Sequence, residues 1–221
     1  MMIGSMMRDL QEIIFQIAVK EKQRIWQFFL LVYITILTML AWGSVIIVSD
    51  LPGLSFVYSI GVWSGRAAAG MLALVLIPGI LGRFGIQIKV TRVLTFYRRQ
   101  LGITTFFLSL THGMLVRIVA RFALGQYPLS RAPIFELFGT VALSFLFFLF
   151  ITSNDWSVGR LGPWWKLLHR LVYIIVWLIF FHTILQRVSV WSMAIGVVAI
   201  LEVVSLLWSG RLGRGRGIGT G

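Results

Sequence analysis

The chain has no cysteine in 221 residues. That excludes disulfides, iron–sulfur clusters, thiolate-ligated haem and zinc sites built on cysteine. A metal could be held only by His, Met, Tyr or carboxylate. Acidic residues are also scarce, seven Asp and Glu against twenty Lys and Arg, for a net charge of +13. Histidine is rarer still, with three in the chain. Five prolines are scattered, and there is neither a low-complexity linker nor an internal repeat, so one domain is expected. What is abundant is apolar: 58% of residues are hydrophobic and the mean hydropathy is +0.92. A soluble domain sits far below that value, which points to an integral membrane protein. The basic residues cluster in short loops between apolar runs, and no nucleic-acid motif accompanies them, so no nucleic-acid partner is expected.

Six apolar runs are long enough to cross a bilayer, which takes about 20 residues each. They fall at 25–49, 62–82, 99–122, 133–152, 163–186 and 189–209. A membrane barrel would show short alternating strands instead. The expected fold is therefore an all-α membrane protein, a six-helix transmembrane bundle over 25–209. Before it, residues 1–24 carry Leu10, Ile13, Ile14 and Ile17, the spacing of an amphipathic interfacial helix on the lipid surface. No signal peptide is expected, because the basic residues come late and no small-residue cleavage site follows. Residues 210–221 read as a short, basic, glycine-rich flexible tail.

Orientation follows from the basic residues. Fourteen lie on one face: Arg8, Lys20, Lys22, Arg24, Arg83, Lys89, Arg92, Arg98, Arg99, Arg160, Lys166, Arg211, Arg214 and Arg216. Five lie on the other: Arg66, Arg117, Arg121, Arg131 and Arg187. The positive-inside rule then puts both termini in the cytoplasm. Most tryptophans, Trp165 among them, sit near span ends as an aromatic belt, whereas Trp177 is mid-span.

All three histidines fall within spans. With both spans three and five running outward, His112 and His182 lie at similar depth in the outer half of the membrane. An imidazole in lipid is often only an interhelical hydrogen-bond partner. Two at one level on different helices suit the axial positions of a haem iron held in a bundle core. His169 lies near the cytoplasmic surface, where span three offers Arg98 and Arg99 rather than a histidine. At 3.6 residues per turn, its spacing from His182 leaves the two rings on different sides of one helix. A second haem at His169 would need a non-histidine partner, an open site or a helix distortion. Otherwise His169 hydrogen-bonds a propionate or a quinone.

Glu202 lies in span six at a depth near that of Arg170. The structural expectation is a Glu202–Arg170 ion pair. The functional one makes both part of a proton or quinone site. Arg66 and Arg117 are candidates to clamp haem propionates on the outer side, and Arg98 and Arg99 on the inner side. Arg121 stands four residues beyond Arg117. Snorkelling to the headgroups is the ordinary alternative. Pro78 and Gly79 suggest a kink in span two.

Several runs resemble a known family. They are SGRAAAG near span two, RRQLG ahead of His112, TSND after span four, and RLGPWWKLLHRLVY with His182 following. Together, over about residues 60–190, they look like the ferric reductase-like transmembrane domain, and within it the MsrQ haem-binding subunits. The resemblance implies a b-type cytochrome of the bacterial cytoplasmic (inner) membrane that carries electrons outward. Two-haem relatives keep two histidines on each of helices three and five. This chain has the pair on helix five but only His112 on helix three, so one haem b is implied, with a second conditional on His169. No GxGxxG motif opens a helix, so the donor is expected to be quinol or a separate cytoplasmic flavoprotein. The implied acceptor is a redox partner on the outer side, a periplasmic methionine sulfoxide reductase. The alternatives are the haem subunit of another reductase or respiratory complex, with ferric iron or oxygen as acceptor, or a structural subunit that has lost haem.

Overall fold

The computed structural model describes residues 16, 20–86, 88–119, 121 and 131–215, with 210–215 described by their backbone alone. The amphipathic segment expected before residue 20 lies outside the described residues, apart from Gln16. Among the described residues every regular element is a helix.

Helix α1 is Lys22–Val48 and α2 is Leu54–Arg83. Short α3, Lys89–Phe96, links them to α4, Arg98–Gly113, which runs directly into a π-helical turn, Met114–Ile118. Helix α5 is Ile134–Ile151. Short α6, Asp155–Leu161, and α7, Pro163–His169, precede α8, Val172–Gln186, and α9, Val190–Gly215. Six of these stretches, with α7 and α8 acting as one, are long and apolar enough to cross a membrane.

Besides shifts of a few residues at span ends, three features depart from the sequence reading. The second span begins at Leu54 rather than 62. Its first turns carry Ser55 and Ser59, which lower hydropathy, but the Ser59 hydroxyl donates to the Ser55 carbonyl and is satisfied inside the helix. The last helix runs to Gly215, into the expected tail, and 216–221 lie outside the described residues. The fifth span is broken between α7 and α8. Arg170 N–H bonds Leu167, Leu171 bonds Leu168, Tyr173 bonds Arg170 and Ile174 bonds Leu171, all three residues back. That is a tightened 3-10 stretch. Gly162, with φ +51°, makes the corner from α6 into α7, and Pro163 supplies the first turn.

Five spans close a ring in which α2 packs on α4, α4 on α5, α5 on α8, α8 on α9 and α9 on α2. Helix α1 packs outside, against α4 and α2. It is apolar all round, yet only Ile36, Gly43 and Ile47 are buried, as expected for a helix whose outer faces meet lipid. The start of α1 and the end of α9 lie on one face of the ring, here called the terminal face. In that half the ring is filled by Leu72, Leu76, Phe106, Leu146, Ile175 and Val176, with Phe106 stacked on Phe150 at 4.5 Å. A smaller cluster of Ile47, Val57, Leu115 and Val119 ties α1, α2 and α4 together toward the far face. Helices α4 and α8 both flank α5, and so face each other across the ring rather than along it.

Candidate functional site

The rings of His112 on α4 and His182 on α8 meet across the bundle. Their centroids lie 6.1 Å apart and their planes cross at 79°. Each ring is held by a backbone carbonyl. Nδ1 of His112 donates to Gly61 O at 2.9 Å, and Nδ1 of His182 donates to Phe135 O at 2.8 Å. A carbonyl can only accept, so each Nδ1 carries the proton and each Nε2 is left as a bare lone pair. A carbonyl bonded to the far ring nitrogen in this way fixes the orientation of metal-binding imidazoles.

Glycine makes both contacts possible, and in the same way. Gly65 lies one helical turn after Gly61, and Gly139 one turn after Phe135. A Cβ at Gly65 would lie 2.6 Å from His112 Nδ1, and one at Gly139 would lie 2.7 Å from His182 Nδ1. A helical carbonyl keeps a second lone pair beyond its own ladder bond. The missing side chain four residues on opens the way to it. Sequence reasoning passed over Gly65 and Gly139, because a small residue in a membrane span is an ordinary packing position.

The pair fits a metal with two axial imidazoles. A metal–imidazole bond of about 2 Å, with the ring centre roughly 1 Å behind its nitrogen, puts two axial rings about 6 Å apart. The observed spacing agrees, and the bare Nε2 atoms are the chemically competent ones. Among the described residues no group of three or more His, Asp or Glu gathers around a common point, so a polynuclear carboxylate centre has no support there.

His169 is placed differently. Its ring stacks on Trp165 at 4.1 Å, and its Nε2 lies 3.2 Å from the Thr152 hydroxyl. Trp165 Nε1 donates to the Thr152 carbonyl at 2.9 Å. Trp165 is therefore fixed against α5 rather than serving only as an interfacial anchor. The 3-10 break also corrects the expected phase. An uninterrupted α-helix sets His169 and His182 about 140° apart, and four residues at three per turn close that to roughly 60°. Both rings now contact α5, through Thr152 and Phe135. The helix distortion required for a second site is thus present, but the His169 Nε2 is occupied by Thr152.

The expected Glu202–Arg170 pair does not form. Glu202 is 1% exposed and accepts from Arg83 Nη2 at the end of α2. Arg83 Nε also donates to Ser205 Oγ at 2.9 Å, and the guanidinium lies 5.8 Å from the Tyr173 ring. The reason is helical phase. Ala199, Glu202 and Ser205 form one buried stripe of α9 that meets α2, whereas Arg170 is exposed at the break. The Oε2 atom of Glu202 has no hydrogen-bond partner among the described residues.

The remaining arginines divide. Arg66 lies over Trp63 at 4.6 Å. Arg98 is exposed. Arg99 donates to Asp155 at 2.7 Å, and this holds the exposed Asp155 carboxyl below the ordinary carboxylate range. Arg117 and Arg121 both pair with Glu136, through Arg117 Nε to Oε1 at 3.0 Å and Arg121 Nη2 to Oε2 at 2.5 Å. A propionate at Arg117 would have to compete with that carboxylate. Sequence reading passed over Glu136, because an acid in the first turn of a helix is an ordinary complement to its dipole.

The fold and its facing imidazoles define a multi-pass helical membrane protein with a two-histidine site in the bundle. Residues 64–181, more than half the chain, match the family described as the ferric reductase like transmembrane component, and the chain belongs to that family. The matched region contains Gly65, His112, Gly139 and His169 and stops one residue before His182. Named relatives are protein-methionine-sulfoxide reductase heme-binding subunits MsrQ. The chain is 32% identical to that of Rhizobium meliloti (strain 1021) over 54% of this chain and 52% of the relative. It is 31% identical to that of Agrobacterium fabrum over 63% and 61%. It is 29% identical to that of Brucella ovis over 71% and 68%. The chain thus spans little more than half the length of the first two relatives. No solved structure matches it.

Proposed function

We propose that this chain is a b-type cytochrome that carries electrons across the bacterial cytoplasmic membrane through one haem held by His112 and His182. The observation that carries the reading is the imidazole pair, 6.1 Å apart with both Nδ1 atoms spent on carbonyls. Bound haem supplies one-electron chemistry. The chain's own residues do the rest. Gly61 and Phe135 fix the tautomer and aim of the two rings. The packed aliphatic and aromatic interior keeps water away. Arg66, on the same helix as the Gly61–Gly65 pocket, is the propionate partner. Arg98 and Arg99 serve as positive-inside anchors, and both termini are cytoplasmic.

His169 acts as a hydrogen-bonding residue on Thr152 and not as an axial ligand. Glu202, with one bare carboxylate oxygen beside Arg83, is the proton-accepting group if the donor is quinol. Arg170 takes no part in that site. A cytoplasmic flavoprotein is the other donor. The outer acceptor is a periplasmic methionine sulfoxide reductase, a reading supported by the names of the relatives. The family's ferric reductase description supports ferric iron as a second acceptor.

The test is a dithionite-reduced minus oxidised spectrum of the detergent-purified protein, with a pyridine haemochrome count. Sharp b-type bands and a count near one support the reading. Absence of bands overturns it. Electron delivery to a purified periplasmic methionine sulfoxide reductase, set against ferric citrate, separates the two acceptors.

A further inference from the structure

Glu136 is 8% exposed, and both its carboxylate oxygens are taken by arginines from another helix. Its place in the chain matters. It follows Phe135, whose carbonyl holds His182, and it precedes Gly139, whose missing Cβ admits the same ring. The Phe135 ring lies 5.8 Å from the His182 imidazole and 5.8 Å from the Arg117 guanidinium. Arg117 is within electrostatic reach of both imidazoles, and Glu136 of His182.

The π-helical turn explains how the arginine arrives there. It begins two residues after His112 and ends one residue after Arg117. In an α-helix, residues five apart point roughly 140° from each other, and a π turn over the later steps, with less rotation per residue, narrows that angle. The insertion therefore brings Arg117 round toward the face that His112 presents to the ring. π turns cost regular helical geometry and tend to occur where a side chain must be re-aimed.

We infer that Glu136, clamped by Arg117 and Arg121, is a positioning residue for His182, and that this charge cluster sets the reduction potential of the His112–His182 site. The inference rests on the haem reading above. Two mechanisms act together. The clamp fixes the first turn of α5, and hence the carbonyl that aims His182. The cluster also places one negative and two positive charges beside the site in a medium of low dielectric, where charge acts strongly. Oxidation leaves one more positive charge on the iron. Removing the carboxylate therefore disfavours the oxidised state and raises the potential, and removing an arginine charge lowers it.

A plain brace between α4 and α5 would behave otherwise. Its loss would weaken folding while leaving the potential of the folded fraction in place. The deciding experiment is potentiometric titration of the full-length, detergent-purified protein, with haem counts and low-spin EPR of the oxidised form. The variants are Glu136→Gln, Glu136→Asp, Arg117→Gln and Arg117→Lys. We expect Glu136→Gln to shift the midpoint upward and Arg117→Gln to shift it downward. The EPR signal should be displaced in Glu136→Gln, and Glu136→Asp and Arg117→Lys should both return toward wild type. Unchanged midpoints, or shifts of the same sign in the two Gln variants, overturn the inference. Should Glu136→Gln fail to fold, the Arg117→Gln and Arg117→Lys pair decides by sign and rescue. A wild-type protein without b-type bands would overturn the haem reading itself, whereas bands with unmoved potentials would overturn this inference alone.

Discussion

Gly139 and His182 are in contact because one of them has no side chain: a Cβ on Gly139 would stand 2.7 Å from the His182 Nδ1. Alanine normally stabilises a helix over glycine by about 1 kcal/mol. Here the added methyl must push the imidazole off the Phe135 carbonyl. Gly139→Ala, and equally Gly65→Ala opposite His112, should therefore reduce haem per protein several-fold without reducing helix content. Gly70→Ala serves as the control, since nothing lies within 4 Å of its Cβ position. Haemochrome counts beside circular dichroism read the outcome. Full haem in Gly139→Ala would mean that the carbonyl contact is dispensable.

The two facing imidazoles should behave as one site. His112→Ala and His182→Ala should each bring the haem count close to zero, and neither should leave a half-loaded protein. His169→Ala and Thr152→Val should keep the wild-type count, since His169 Nε2 meets a hydroxyl rather than an open position. A count that drops only for His169→Ala would move the site toward the terminal face.

Much of this was legible in the sequence, and the failures have physical causes. Runs of apolar residues announce spans whatever the packing, so all six were found. The depth match of His112 and His182 needed only residue counts along two helices of the same direction. Rotation about a helix axis was not legible, because periodicity assumes a constant 3.6 residues per turn. The 3-10 break after His169 and the π turn after His112 each change the phase without changing composition. Glu202 was matched to Arg170 by depth, but phase on α9 turns it toward α2. Arg83, counted as a loop anchor, was the partner.

The Arg99–Asp155 pair makes a pH prediction. Arg99 depresses the carboxyl of Asp155 in the folded protein, so its contribution is present above the ordinary carboxylate pKa and is lost as pH falls through the depressed value. The pair is exposed, with side chains 40% and 91% accessible, so the contribution is small and screened by salt. Carboxyl NMR of the wild type should show Asp155 titrating below an ordinary aspartate, and Arg99→Gln should restore it. An ordinary value in the wild type would mean that the pair does not persist in solution.

The buried pair at the other junction should be far more sensitive. Glu202 is nearly inaccessible and Arg83 only 18% exposed, so removing one partner strands the other in a place where it cannot be hydrated. Breaking a buried pair in this way costs roughly 3–5 kcal/mol. Arg83→Ala should therefore lower the thermal midpoint in detergent markedly, because it leaves a carboxylate unpaired. Glu202→Gln should cost less, since the amide still accepts from Arg83. Arg170→Ala should change stability by no more than about 0.5 kcal/mol, as for an exposed surface residue. The same variants test the proton role. If Glu202 accepts protons from quinol, Glu202→Gln keeps the haem and slows quinol-driven reduction, while reduction by dithionite is unchanged. An Arg170→Ala variant as unstable as Arg83→Ala would show that the carboxylate has the other partner after all.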